Sequence, residues 1–127
     1  MRFLPTRIHG VIDYAWGVLL ILTPFMLAFS SDATALWIAI AFGVVGIVYS
    51  FLTDYELGAL KLLSMPVHLI LDAGAGVLLV VLSFSLKLDN RAYWVFLLFG
   101  LSAAVASLIT RTSSDPPSRV LAPRGTN

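Results

Sequence analysis

Cysteine is absent from all 127 residues. That removes disulfides, thiol nucleophiles, dithiol redox chemistry and every cysteine-ligated metal centre. Charge is nearly as scarce, with 8 Lys and Arg against 7 Asp and Glu, a net charge of +1. So even a balance offers no basic surface for nucleic acid. There is no phosphate loop, no dinucleotide fingerprint and no nucleophile–base pair, so an enzyme is not expected. No haem-attachment sequence occurs either, and no cofactor is expected. What abounds is apolar: 59% of the chain is hydrophobic and the mean hydropathy is +0.94. A soluble chain this short would have to hide more apolar surface than its interior holds. The expected partner is the lipid bilayer.

Four apolar runs, roughly 8–29, 35–53, 66–86 and 92–110, are each long enough to cross about 30 Å of hydrocarbon as a helix. Short polar links separate them: SSDAT at 30–34, DYELGALKLLS at 54–64 and KLDNR at 87–91. Short links make antiparallel neighbours, which predicts an all-α four-helix transmembrane bundle over 1–110. Arg2 and Arg7 before an apolar core, with Ala28-Phe29-Ser30 after it, loosely suit a signal peptide. The first run nevertheless has an internal twin, and a removed peptide has no reason to duplicate a retained helix. Retention is expected.

Arg2, Arg7, Lys61, Arg111, Arg119 and Arg124 fall on the side of both termini, against Lys87 and Arg91 on the other. This bias predicts cytoplasmic N- and C-termini. Residues 111–127, with Pro116, Pro117 and Pro123, show no periodicity and are expected to be a disordered cytoplasmic tail.

The twin is the main organising feature. HGVIDYAWGVLL at 9–20 matches HLILDAGAGVLL at 68–79 at six of twelve positions, including His9/His68, Asp13/Asp72 and Gly17/Gly76. Residues 35–54 align with 92–111 through Ala35/Ala92, Trp37/Trp94, Phe42/Phe99, Gly43/Gly100, Val48/Val105, Ser50/Ser107 and Thr53/Thr110. Two two-helix repeats, about 5–58 and 64–111, account for the apolar chain. Each repeat crosses twice, so both enter the membrane in the same direction, related by a pseudo-twofold axis along the membrane normal.

Thr23-Pro24-Phe25, late in the first helix, is a conservative variant of Ser-Pro-Trp, and Leu82-Ser83-Phe84 stands at the matching place without the proline. With TDYELG at 53–58, MPVHLILD at 65–72 and Trp37 opening the second helix, the chain resembles the SPW-repeat family of membrane proteins. The resemblance implies a small four-helix protein of a bacterial inner membrane and brings no reaction or ligand with it.

His9 and Asp13, and His68 and Asp72, are spaced i, i+4, so each pair shares a helix face that Gly17 or Gly76 continues. Lipid rejects charge and small residues permit close approach, which turns these faces to the bundle interior. In one reading the acids sit near helix starts (Pro5 or Thr6, Ser64 or Pro66) and lock helices together through His, Ser50, Thr53, Ser107 or Arg111. In the other, His9, Asp13, His68 and Asp72 gather at one depth to relay protons, hold a cation or metal, or ligate haem, with Asp54 and Arg111 at the same level. Which metal, if any, is left open.

Trp16, Trp37, Trp94, Tyr49, Tyr55 and Tyr93 read as interfacial anchors. Pro24 is expected to kink or end the first helix. Glu56 and Lys61 read as a solvated face, with Asp54-Tyr55-Glu56 as a possible partner contact. The small residues Gly43, Gly46, Ala103 and Ser107 suggest a homo-oligomer paired through those faces.

Overall fold

The computed structural model describes residues 1–113. It contains four helices, α1 Thr6–Met26, α2 Ala33–Phe51, α3 Met65–Ser85 and α4 Asn90–Ile109. All four are long and apolar enough to cross a membrane. Among the described residues there is no strand beyond two isolated bridges. The helices begin one or two residues before the expected spans, and α1 ends three residues early. Pro24 is the reason. It lacks the N–H that would reach the Leu20 carbonyl, and the Thr23 hydroxyl donates to that carbonyl instead at 2.8 Å. Two residues later the helix stops, with Ala28 at φ 55° and Phe29 N–H turned back to Pro24 O. Thr23 and Pro24 are buried, while Phe25 is exposed on the lipid side. The tail expected at 111–127 lies outside the described residues from 114 onward, and Arg111 N–H donates to Leu4 O at 3.0 Å.

α1 packs chiefly on α2, and α3 on α4. Glycine sets both distances. A Cβ on Gly43 would meet Gly17 O at 2.6 Å, and a Cβ on Gly100 would meet Gly76 O at 2.6 Å. The same backbone-to-backbone crossing therefore occurs in both repeats. Gly43, Gly46 and Ser107 are thereby buried inside the chain, where Gly46 faces Trp16. These residues, expected to pair two copies, meet neighbouring groups of their own chain, and Ala103 is half-buried.

Between the hairpins, contacts run through α1–α4 and α2–α3 and are thinner. Here the symmetry breaks. Trp16 fills the α1–α4 side, its indole N–H donating to Phe99 O at 3.1 Å. It is a bridge between repeats, not the interfacial anchor expected of it. The equivalent residue in the second repeat is Ala75, which lines one continuous groove of about 710 Å³ on the α2–α3 side, whereas the α1–α4 side is divided into one groove of about 350 Å³ around Trp16 and another of about 390 Å³ beside Arg91.

The two ends of the bundle are closed differently. Away from the termini, Leu20, Leu79, Ala39, Phe96 and Phe29 form an apolar core. There Asp32 caps α2 by accepting Ala35 N–H at 3.0 Å and joins the hairpins by accepting Asp89 N–H at 2.8 Å. Arg91 closes the C-terminus of α1 by donating to the Leu27 and Ala28 carbonyls. At the terminal end the symmetry returns: the bridges Leu4↔Thr110 and Thr53↔Leu63 are the same joint made twice, since the segment before each odd helix pairs with the segment after an even one. Arg2 donates to the Ser107 and Thr110 carbonyls, satisfying the end of α4.

Candidate functional site

His9 and His68 lie one turn into α1 and α3, just inside the terminal end, and both are fully buried. Their i, i+4 partners follow on the same faces, Asp72 buried and Asp13 nearly so. Because the two hairpins face each other across the pseudo-twofold axis, the four side chains meet. The shortest contacts are crosswise: His9 Nε2 to Asp72 Oδ2 and His68 Nε2 to Asp13 Oδ2, each 2.9 Å. The contacts within one helix are longer, 3.3 Å for His9–Asp13 and 3.2 Å for His68–Asp72. Nitrogen and oxygen thus alternate around a closed ring of four atoms.

The outer nitrogens are held as symmetrically. His9 Nδ1 lies 2.8 Å from Thr110 Oγ1, and His68 Nδ1 lies 2.8 Å from Thr53 Oγ1. Each threonine hydroxyl is also 2.6 Å from the carbonyl one turn earlier, Ala106 O and Tyr49 O respectively. A hydroxyl has one proton to donate, and a carbonyl can only accept. Both hydroxyls therefore give their proton to the carbonyl and accept from the imidazole, which places a hydrogen on Nδ1 of both histidines. The Nε2 atoms are left facing the carboxylates. This assignment follows from hydrogen-bond supply alone.

Around this ring the symmetry is incomplete. Tyr49 donates its hydroxyl to Asp72 Oδ1 at 2.5 Å, whereas its equivalent, Ala106, offers nothing. Ser50 Oγ stands 3.5 Å from Asp13 Oδ2, at the limit for a hydrogen bond. Beside the ring, a cavity of about 20 Å³ lined by Asp13, Asp72, Tyr49, Ser50 and Ser102 has room for one water. Over the terminal side, the 54–64 link folds inward. The Tyr55 ring is buried 5.8 Å from that of His68 and lies over Gly10, where a Cβ would strike it. Burial drives the Tyr55 hydroxyl above its ordinary pKa, with Asp13 adding to the shift; the hydroxyl has Tyr14 and Ser50 near it but makes no hydrogen bond of good geometry. Glu56 accepts from Thr6 Oγ1 at 2.7 Å, and Tyr14 donates to Leu57 O at 3.0 Å.

Of the residues singled out in the sequence, His9, Asp13, His68, Asp72, Thr53 and Ser50 come together. Asp54 does not: its backbone N–H donates to Leu63 O in the joint, while its exposed side chain lies 3.6 Å from Lys61. Ser107 is buried but donates to Ala104 O in its own helix, at 2.7 Å. Arg111 is exposed at the start of the tail, its backbone tied to Leu4. Tyr49 and Tyr55 are correspondingly not lipid anchors: one reaches Asp72 and the other covers His68. Thr110 belongs to the site too, and its identity with Thr53 in the repeat alignment was the available signal. Nothing in the sequence marks Tyr49, whose twin is alanine.

The set offers two imidazole nitrogens and two carboxylate oxygens, all within 4.8 Å of one another, a group able to hold a metal ion. No curated protein and no solved structure matches this chain. The model of the SPW repeat domain matches residues 7–110, nearly all of the four helices and both His/Asp pairs. On that match, with four helices of membrane-spanning length, the chain is a multi-pass membrane protein belonging to the SPW repeat domain family.

Proposed function

We propose that this is a non-enzymatic scaffold or interaction protein of a bacterial inner membrane, with both termini in the cytoplasm. In it the His/Asp ring is a clasp fixing one repeat against the other. The observation supporting this most directly is that the 2.9 Å contacts run between repeats, not within them. Such a ring specifies how two thinly packed hairpins meet, a task that lipid-facing apolar surface performs poorly because it has no preferred partner. Passage of protons across the membrane is less well supported. Beyond the small cavity the bundle is closed by Leu20, Leu79, Ala39 and Phe96. Thr23 and Ser83, the buried polar groups there, give their hydroxyls to their own helices.

A double-mutant cycle on His9→Ala and Asp72→Ala tests the clasp, read as unfolding free energy in detergent with a chelator present. Each single change takes from the remaining buried partner its shortest contact and should cost about 1–3 kcal/mol. The pair together should cost less than the sum, with a coupling above about 1 kcal/mol. Single variants as stable as the parent would end the clasp reading.

A further inference from the structure

We propose that the ring formed by His9, Asp13, His68 and Asp72 binds one divalent transition-metal ion of the zinc class, through both Nε2 atoms and one oxygen of each carboxylate. The inference rests on the same crosswise closure as the clasp, and adds an occupant to it.

Geometry comes first. A tetrahedral ion with bonds of about 2.0–2.1 Å needs neighbouring ligand atoms about 3.3–3.4 Å apart. The nitrogen–oxygen separations around the ring are 2.9, 3.3, 2.9 and 3.2 Å. The four atoms all lie within 4.8 Å of one another, so lengthening the short edges by a few tenths of an ångström and folding the ring to draw the cross-ring pairs together would seat the ion. The histidine tautomers suit an ion as well. A histidine ligand must present a bare nitrogen, and metal-binding histidines typically fix the other one by donating its hydrogen to an oxygen. Thr53 and Thr110 do this for His68 and His9, so each Nε2 already points inward in the binding form. Tyr49 does the same kind of work for Asp72 by holding its second oxygen.

The charges of the ring also match a divalent ion. Two carboxylates balance a divalent cation, so the loaded site is neutral in a segment where net charge is costly. Without an ion, hydrogens must separate nitrogen from oxygen at 2.9 Å, and two of them keep the ring neutral. Binding therefore exchanges about two protons for one ion. The donor set narrows the class further. Calcium and magnesium seek six or more oxygens. Copper(I) and iron–sulfur centres seek sulfur, which this ring lacks. A haem between the imidazoles is excluded, because the carboxylates occupy the plane it would need and the adjoining cavity is only about 20 Å³.

The test uses the full chain in detergent, purified on a tag without histidine, stripped by chelator and titrated with Co²⁺, then Zn²⁺. The expected result is about one Co²⁺ per chain with the intense visible absorption of a tetrahedral site, abolished by Zn²⁺, and release of about two protons per ion. Asp13→Asn with Asp72→Asn should weaken binding by at least about 100-fold. Thr53→Val with Thr110→Val, which leaves all four ligands in place, should weaken it about 10–100-fold. Circular dichroism of both variants should show unchanged helix content; the threonine variant keeps the test decisive if the aspartate variant misfolds. No saturable Co²⁺ uptake by the parent, a weak octahedral spectrum, or equal affinity in a folded aspartate variant would overturn the proposal. The clasp is judged separately, since its coupling is measured in chelator.

Discussion

Two threonines decide which nitrogen of each histidine faces the ring. Neither touches the carboxylates, yet without them the hydrogen of each buried imidazole could sit on either ring nitrogen. At the far end Asp32 has a comparable influence on a smaller scale. Backbone N–H donors, Ala35 first and Asp89 second, hold its carboxyl below the usual range. A carboxyl depressed in the folded state contributes stability above its unfolded pKa, near 3.8, and loses it as the pH falls through the lower folded value. The parent's thermal midpoint should therefore fall more steeply than that of Asp32→Asn as the pH drops below about 4. Identical pH profiles would show that the cap does not tie the hairpins. At this scale the sequence is legible in part. His9, Asp13, His68, Asp72 and Thr53 are marked by duplication, since both copies retain them. Tyr49 and Tyr55 are not, because an aromatic near a span end looks the same whether it faces lipid or turns inward.

The helices are legible almost throughout, since an apolar run bounded by Pro, Asp and Ser has few alternatives in lipid. Their boundaries shift by one to three residues, and the largest shift is at the end of α1, where Thr23 and Pro24 finish the helix before its apolar run ends. What the apolar pattern hides is which small residue meets which. Gly43 and Gly74 are both helical glycines, yet a Cβ would strike backbone at the first and meet nothing within 4 Å at the second. Gly43→Ala should cost about 1–3 kcal/mol as α1 and α2 are forced apart. Gly74→Ala should be neutral or stabilising by up to about 1 kcal/mol, from the better helix propensity of alanine. Unfolding of both variants in the same detergent checks this, and equal losses would mean that the Gly17–Gly43 crossing does not set the hairpin.

At the scale of the molecule, the repeat predicts two hairpins entering the membrane in the same direction, and the two joints at Thr53–Leu63 and Leu4–Thr110 repeat that relation in hydrogen bonds. Reporters fused after Ser31 and Asn90 should register the same side and one after Asn127 the other, the cytoplasm. A periplasmic signal at Asn127 would reverse the orientation. The broken symmetry at Trp16 and Ala75 lay beyond the sequence alone: side-chain volumes differ there, but which face of the bundle they serve depends on how the hairpins dock.

His9 and His68 each find their closest carboxylate on the other repeat. The chain has no third histidine, so its ring nitrogens give an uncrowded ¹⁵N spectrum in bilayers. Solid-state NMR distance measurements between each Nε2 and the carboxyl carbons of selectively labelled aspartates test this pairing. The predicted result is strong dipolar coupling from His9 to Asp72 and from His68 to Asp13, with both Nδ1 atoms protonated. Coupling of each histidine only to the aspartate of its own helix would contradict it.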